Sequence, residues 1–172
     1  MNFLQLDRSN SVYSFTTGAL TVAASATDIF TIFGATDRIF RLLQLEIEGV
    51  QTTAGIVSVF LIKRSAANTA GTSAAVTPVA HNSQHRTPSS TLLKYTANPS
   101  GLGTAVGTIL ERKVSFDAAA SVVVQAPAKL FDCRDSKPIE LLSATEGLAV
   151  NLNGVTVTGG SLIISGKFQE VS

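Results

Sequence analysis

The sequence predicts an all-β protein, a jelly-roll-like antiparallel β-sandwich with one long loop region. Runs of β-branched and aromatic residues alternate with stretches of Ala, Ser, Thr, Gly, Asn and Pro, and helical periodicity is scarce. The clearest strand patterns cover residues 28–33, 38–48, 56–63 and 161–168. Eight or more short strands separated by turn residues are typical of a jelly roll or a related sandwich.

Two of these runs carry information about burial. In residues 38–48 a two-residue period places one apolar set on one face, while Phe40 and Leu42 give way to polar residues on the other. The apolar set is Ile39, Leu43, Leu45 and Ile47. Residues 56–63 are apolar on both faces, which is typical of a central strand or of a strand at a subunit interface.

Turn residues predict how the shorter strands connect. We expect residues 12–15 and 19–23 to pair around a turn at residues 16–18. Asn153 and Gly154 both tolerate positive φ, so they predict a hairpin between residues 148–152 and 155–158. Further short strands are expected at residues 114–116, 122–125, 130–132 and 139–142.

Residues 65–107 form the predicted loop region, which is much longer than an ordinary connection. Its small residues cannot build a core of their own, so we expect one strand near residues 92–96, anchored by apolar side chains, with mobile arms on either side. Residues 1–18 are predicted to be an N-terminal arm or short first strands, and residues 19–172 a single sandwich domain. In the arm, Phe3, Leu4 and Leu6 have few apolar partners nearby in sequence and are candidates for contact with a neighbouring subunit.

Composition limits the classes of function. The chain of 172 residues is 45% hydrophobic and 15% charged, yet no stretch approaches the roughly 20 apolar residues of a membrane helix. Low charge with high apolar content favours an oligomer or a lattice component. The net charge is +1 with no basic run, which argues against nucleic-acid binding. The N-terminus lacks a signal-peptide pattern, so synthesis in the cytoplasm is expected.

No motif predicts catalysis, a cofactor or a metal ion. His81 and His85 have the spacing of some zinc ligands, but they lie in a polar loop without further ligands nearby, so we interpret them as solvated loop residues. The glycines at 101, 103 and 107 do not match a nucleotide-binding motif. The single Cys133 excludes an intramolecular disulfide and lacks a neighbouring histidine. We expect a protein that is not an enzyme.

Carbohydrate binding is the alternative that the fold class raises, because jelly rolls also occur as lectin domains. Sugar platforms depend on exposed aromatic side chains, and this chain has no Trp and only Tyr13 and Tyr95. Most Phe residues lie in strand patterns and are expected in the core.

The order of segments resembles a family of small virion structural proteins of tailed bacteriophages, encoded among head and tail genes. The resemblance covers roughly residues 26–170 and rests on many short blocks. These include residues 27–34 (TDIFTIFG), 46–49 (EIEG), 57–65 (VSVFLIKRS), 68–72 (NTAGT), 79–83 (VAHNS), 95–99 (YTANP), 137–141 (KPIEL) and 148–154 (LAVNLNG). Members of the family often end with Trp near the closing Glu; here Phe168 stands near Glu170 and is expected to fill that aromatic core position.

The resemblance implies a jelly-roll protein that decorates or cements the capsid by bridging neighbouring capsid subunits, without catalytic residues. Its partners would be the major capsid protein or another virion protein, and its own copies, in a trimer by preference or in a dimer. The implied location is the capsid exterior, after synthesis in the bacterial host. A receptor- or glycan-binding module of a fibre or tail is the alternative. Besides the arm residues, the candidate contact positions are Asn68, His81, His85, Tyr95 and Asn98.

Overall fold

The computed structural model describes residues 10–120, 126–134 and 136–171, and within these ranges it contains twelve β-strands and no helix. The first six strands are β1 (Asn10–Thr16), β2 (Ala26–Phe33), β3 (Ile39–Gln51), β4 (Gly55–Arg64), β5 (Ser73–Ala75) and β6 (Val79–Ala80). The others are β7 (Thr91–Tyr95), β8 (Ala105–Ala118), β9 (Ala128–Asp132), β10 (Ile139–Leu141), β11 (Gly147–Val155) and β12 (Ser161–Val171). The all-β prediction is confirmed.

The strands form two sheets that pack face to face. Sheet 1 has the order β6-β1-β12-β3, with β9 and β10 both paired to the far side of β3. Sheet 2 has the order β5-β7-β2-β11-β4-β8. All of these pairs are antiparallel; the one parallel contact joins the sheets, where Asp117 and Ala118 at the end of β8 pair with Val50 and Gln51 of β3.

Outside β5, β6 and β7, the strand pairing is that of an eight-stranded jelly roll in which β9 and β10 together take one strand position. Strands β1 and β12 pair, β2 pairs with β11, β3 with β9 and β10, and β4 with β8, as in one long antiparallel ribbon folded on itself. Wrapping that ribbon places alternate strands in opposite sheets, which gives two interlocked Greek keys. The predicted jelly-roll-like sandwich is therefore confirmed, and β1 is one of its strands.

Stacked aromatic rings fill the core between the sheets. Phe168 of β12 is fully buried and lies 5.1 Å from the ring of Tyr13 and 4.8 Å from that of Phe40. Phe15 of sheet 1 stacks on Phe30 of sheet 2 with 5.2 Å between the ring centroids. Phe168 therefore occupies the aromatic core position that the sequence predicted for it.

A β-bulge in β3 changes which of its side chains share a face, so the structure differs from the prediction for this strand. Gln44 pairs with Lys167 and Leu42 with Phe168, so Leu43 is an extra residue on β3. Because a bulge shifts the alternation by one residue, Leu42 and Leu45 are both buried, while Leu43 is only half-buried. The prediction that Ile39 and Leu43 share a face with Leu45 and Ile47 was wrong.

Two predicted turns were also wrong. Residues 19–23 form no strand beside β1; Leu20 instead bridges to Leu162 of β12, and β1 pairs with β12 and β6. Asn153 and Gly154 do have positive φ, 51° and 80°, but they form a bulge within β11, which pairs again with β2 at Val155. Residues with positive φ occur in β-bulges as well as in turns, so the Asn-Gly dipeptide alone does not distinguish a bulge from a hairpin. The strand predicted at residues 122–125 lies outside the described residues.

The predicted loop region contains more regular structure than expected. Besides β7, which corresponds to the predicted strand at residues 92–96, it includes β5 and β6, and β8 already begins at Ala105. Strand β4 is central between β11 and β8, as one interpretation of its two apolar faces required. Its inner residues Val57, Val59 and Leu61 are buried, whereas Ile56 is 71% exposed.

Candidate functional site

The chain between β4 and β8, residues 65–104, is inserted into the jelly roll, and we call it the insertion. Its strand β6 pairs with β1 at the edge of sheet 1, and its strand β7 pairs with β2 at the edge of sheet 2, with β5 outside β7. The insertion therefore extends both sheets on the same side of the sandwich and closes that side. This makes it the largest surface feature that the fold adds to the eight-stranded core.

The two ends of the insertion meet in a narrow neck. The amide of Ser65 donates to the carbonyl of Thr104 at 2.9 Å, and Thr69 pairs with Gly101. Gly103 lies so close to the other chain that a Cβ atom there would fall 1.8 Å from the carbonyl oxygen of Ala66. Only glycine allows this approach of two backbones.

A buried ion pair fixes the neck to sheet 2. The guanidinium of Arg64 donates two hydrogen bonds of 2.7 Å to the carboxylate of Asp28, and both side chains are almost fully buried. Asn68 and Asn151 also donate to this carboxylate, at 2.9 and 2.6 Å, while Arg64 donates to the carbonyl of Gly103 at 2.5 Å. Charges that are buried together need this degree of hydrogen bonding to repay their desolvation. We call this group the Asp28 cluster.

A second buried carboxylate, that of Glu170, holds the middle of the insertion at residues 87–90. Glu170 of β12 accepts hydrogen bonds from the amides of Ser89 and Ser90, from the Ser90 hydroxyl at 2.7 Å, and from Arg38 at 2.8 Å. Arg38 also donates to the carbonyl of Thr87 at 3.2 Å. The hydrogen bond to Glu170 raises the pKa of the Arg38 guanidinium, against the opposing effect of burial. The carboxylate of Glu170 on the sandwich thus accepts hydrogen bonds from backbone amides of the insertion.

Further hydrogen bonds attach the insertion between these two points. Asn98 accepts from the amide of Thr27 at 3.1 Å and donates to the carbonyls of Ala24 and Ser25. The hydroxyl of Tyr13 donates to the carbonyl of Arg86 at 2.7 Å, and Lys94 donates to the carbonyl of Thr17 at 2.6 Å. The predicted mobile arms on either side of residues 92–96 are therefore attached to the sandwich by specific contacts.

The structure places the candidate contact residues in different settings. Asn68 and Asn98 use their amides in the contacts just described, and Tyr95 is 5% exposed, with its hydroxyl 3.5 Å from Thr31. His81 is exposed and its Nε2 lies 2.6 Å from the Ser14 hydroxyl.

His85 is half-buried, with its ring 6.4 Å from that of Tyr13. It lies in the same loop as His81, and the two were the pair with the spacing of zinc ligands. In the described part of the chain no group of His, Cys, Asp or Glu is arranged to hold a metal ion. Phe3, Leu4 and Leu6 lie outside the described residues, so their predicted role stays a prediction.

Two exposed segments of the insertion carry no full charge and consist mostly of small residues. Residues 69–75 are all exposed, as are residues 81–84, and we call these two segments the contact face. In the whole insertion only Arg86 and Lys94 carry a full charge, and it contains no carboxylate. Small side chains lose little conformational entropy when a partner covers them, which suits a surface used for close contact.

Away from the insertion, Asp132 lies in a cluster of charged side chains. Hydrogen bonds from Arg134 and Lys129, the closest of them 2.7 Å long, hold the pKa of its carboxyl well below the ordinary range. Both cations are at least partly exposed, with side-chain exposures of 77% and 39%. The cluster joins the end of β9 to the following turn and has the character of a local structural contact.

Comparison with known proteins supplies no relative: no family model, no curated protein and no solved structure matches the chain. None of the described residues belongs to a helix long and apolar enough to span a membrane.

Proposed function

We propose that this protein is a non-enzymatic structural component of a phage virion that decorates or cements the capsid exterior as a homo-oligomer. Its mode of action would be to bridge neighbouring capsid subunits through the contact face of the insertion. The observation that supports this most directly is that the contact face, which has no full charge and mostly small residues, belongs to an insertion held on a jelly roll by two buried carboxylates. The family resemblance of the sequence points to the same role.

The attachment of the insertion matters for this role. A cement protein gains affinity when its contact surface is ordered before binding, because the ordering entropy is then not lost in the binding step. The Asp28 cluster fixes the neck of the insertion to the sandwich, and the contacts of Glu170 fix its middle at Ser89 and Ser90. The surface offered to a capsid subunit is thus already shaped in the free protein.

The alternative is a receptor- or glycan-binding module, which needs exposed aromatic and amide side chains. Five aromatic side chains of the described chain contact one another inside the sandwich: Tyr13, Phe15, Phe30, Phe40 and Phe168. The amides of Asn68 and Asn98 are bonded within the chain. These side chains are therefore not available to bind a sugar, which counts against the alternative at these positions.

The proposal is tested by binding the purified protein to undecorated particles assembled from the major capsid protein encoded in the same genome. The double variant Thr72→Arg/Ser83→Arg places two charges on the contact face, where both residues are exposed. We expect it to remain folded and to lose binding by about tenfold or more, because two guanidinium groups would be desolvated without partners.

Leu142→Arg is the matched control, since Leu142 is 60% exposed and lies outside the insertion. It should bind like the unmodified protein. If the unmodified protein does not bind such particles, or if the charged contact face binds equally well, the capsid role through this surface is excluded. Binding to a glycan array in place of particles would support the alternative.

A further inference from the structure

One long strand edge of the sandwich has no partner among the residues that the structure describes. The insertion covers the side formed by β1 and β2, but on the opposite side β8 pairs only with β4 until its last two residues reach β3. From Ala105 to Glu111 no described strand lies along the other edge of β8, and we call residues 105–111 the free edge. An edge of about 23 Å is long enough to pair with another chain.

The free edge also carries the exposed apolar side chains of β8. Val106 is 63% exposed and Ile109 is 43% exposed. Both are the extra residues of β-bulges, since Leu110 and Thr108 pair with consecutive residues of β4, as do Gly107 and Ala105. Between the two bulges, a Cβ atom at Gly107 would meet nothing within 4 Å, so no described residue covers this position.

We propose that the free edge is the interface for a second copy of this chain, which pairs with it antiparallel about a twofold axis between Gly107 and Thr108. In that register Val106 of each copy lies opposite Ile109 of the other. The match occurs twice because a twofold interface is self-complementary. Leu110 then lies opposite Ala105, so the paired segment is apolar or small throughout.

The charges of β8 are compatible with this register. The stretch from Ala105 to Leu110 has no charged residue, and lysine, which commonly protects strand edges, is absent from it. Glu111 falls opposite Thr104 of the other copy, so no two like charges face each other across the axis. The inference does not depend on the virion role, and it favours a dimer over the trimer that the sequence interpretation preferred.

A single strand edge buries less area than the roughly 800 Å² per partner of a standard interface, so we expect a weak, concentration-dependent dimer. Light scattering on size-exclusion fractions, over a hundredfold range of concentration, should show the mass rising from 17.9 kDa toward twice that value. The double variant Val106→Lys/Ile109→Lys should weaken dimerisation by about tenfold or more, because ammonium groups would replace both apolar contacts.

Val79→Lys is the matched control, because Val79 is 68% exposed on β6, on the other side of the sandwich. It should leave the dimer unchanged. A chain that stays monomeric at all concentrations overturns the proposal. So does an oligomer of any size that the double lysine variant leaves intact while retaining its fold.

Cross-linking tests the register independently of any loss of stability. In a Cys133→Ser background, a mixture of Val106→Cys and Ile109→Cys proteins should form a disulfide under mild oxidation, because directly opposite Cα atoms lie about 4.5–5.5 Å apart. Each variant alone should cross-link poorly, since the two identical cysteines of a dimer would be offset by three residues, about 10 Å along the strands. Equal cross-linking in all three samples would exclude the proposed register.

Discussion

At the scale of residues, the sandwich and the insertion are connected by charges that no local pattern predicts. Asp28 and Arg64 are 36 residues apart, and Glu170 lies 80 residues from Ser90. Each looks in the sequence like an ordinary charged residue at the end of a strand. The aromatic core was easier to predict, as with Phe168. A large apolar residue in a strand pattern is usually buried, whereas a carboxylate occurs at the surface, in ion pairs and at turns.

Asp28→Asn tests the importance of the buried ion pair. The substitution keeps the shape of the side chain but leaves the guanidinium of Arg64 buried without its counter-charge, so we expect the free energy of unfolding to fall by about 3–5 kcal/mol. Arg41→Gln is the control, because the side chains of the Arg41–Glu140 pair are 34% and 42% exposed. Its loss should lower the free energy of unfolding by less than about 1 kcal/mol.

Urea unfolding of both variants measures the difference directly. If Asp28→Asn destabilises the protein no more than Arg41→Gln does, the Asp28 cluster is not what holds the neck of the insertion. A smaller loss in the double variant Asp28→Asn/Arg64→Gln than the sum of the single losses would show that the two side chains act as a unit.

At the scale of elements, the sequence predicted the strands that alternate or are apolar on both faces and missed those that lie at edges. Residues 105–113 were assigned to a loop or left without a prediction because almost all of them are exposed, so burial imposes no pattern on them. Strands β5 and β6 have three and two residues, too few for any periodicity. The bulges at Leu43 and at Asn153 shift the alternation in ways that only the partner strand reveals.

The neck of the insertion provides a prediction at the same scale. Gly103→Ala should destabilise the protein by about 1–3 kcal/mol, because its Cβ atom would overlap the backbone of residue 66 and force the two chains of the neck apart. Gly107→Ala, four residues later in β8, has open space around the new methyl group and should change stability by less than about 0.5 kcal/mol. Thermal unfolding of the two variants checks this, and equal losses would contradict it.

At the scale of the whole molecule, the fold class and the jelly roll followed from the sequence, whereas the contact face and the free edge required the structure. Strand count and turn spacing limit the possible architectures. They do not tell which edge the long insertion covers. That depends on pairs such as β6 with β1 and β7 with β2, which join residues far apart in the chain.

The pairing of the first and last described strands predicts tolerance to circular permutation. Asn10 of β1 lies opposite Val171 of β12, so a short linker from residue 171 to residue 10 has to span only the distance between two paired strands. New ends between Ser83 and Gln84, in an exposed part of the insertion, should give a folded protein.

New ends between Ile163 and Ile164 should prevent folding, because they cut the strand that pairs with both β1 and β3. Circular dichroism and cooperative thermal unfolding distinguish the two permutants. Failure of the first, or folding of the second, would contradict the arrangement of the ribbon.

The same pairing determines how the protein responds to mechanical force. Because β1 and β12 are antiparallel and begin and end side by side, tension applied to the two chain ends pulls their hydrogen bonds apart one after another. Force directed along paired strands must instead break many bonds at once. A protein with this connectivity resists load along its strands far better than load that separates its first and last strands. In the proposed capsid role, tension from a swelling shell would therefore be carried best where it runs parallel to the strands.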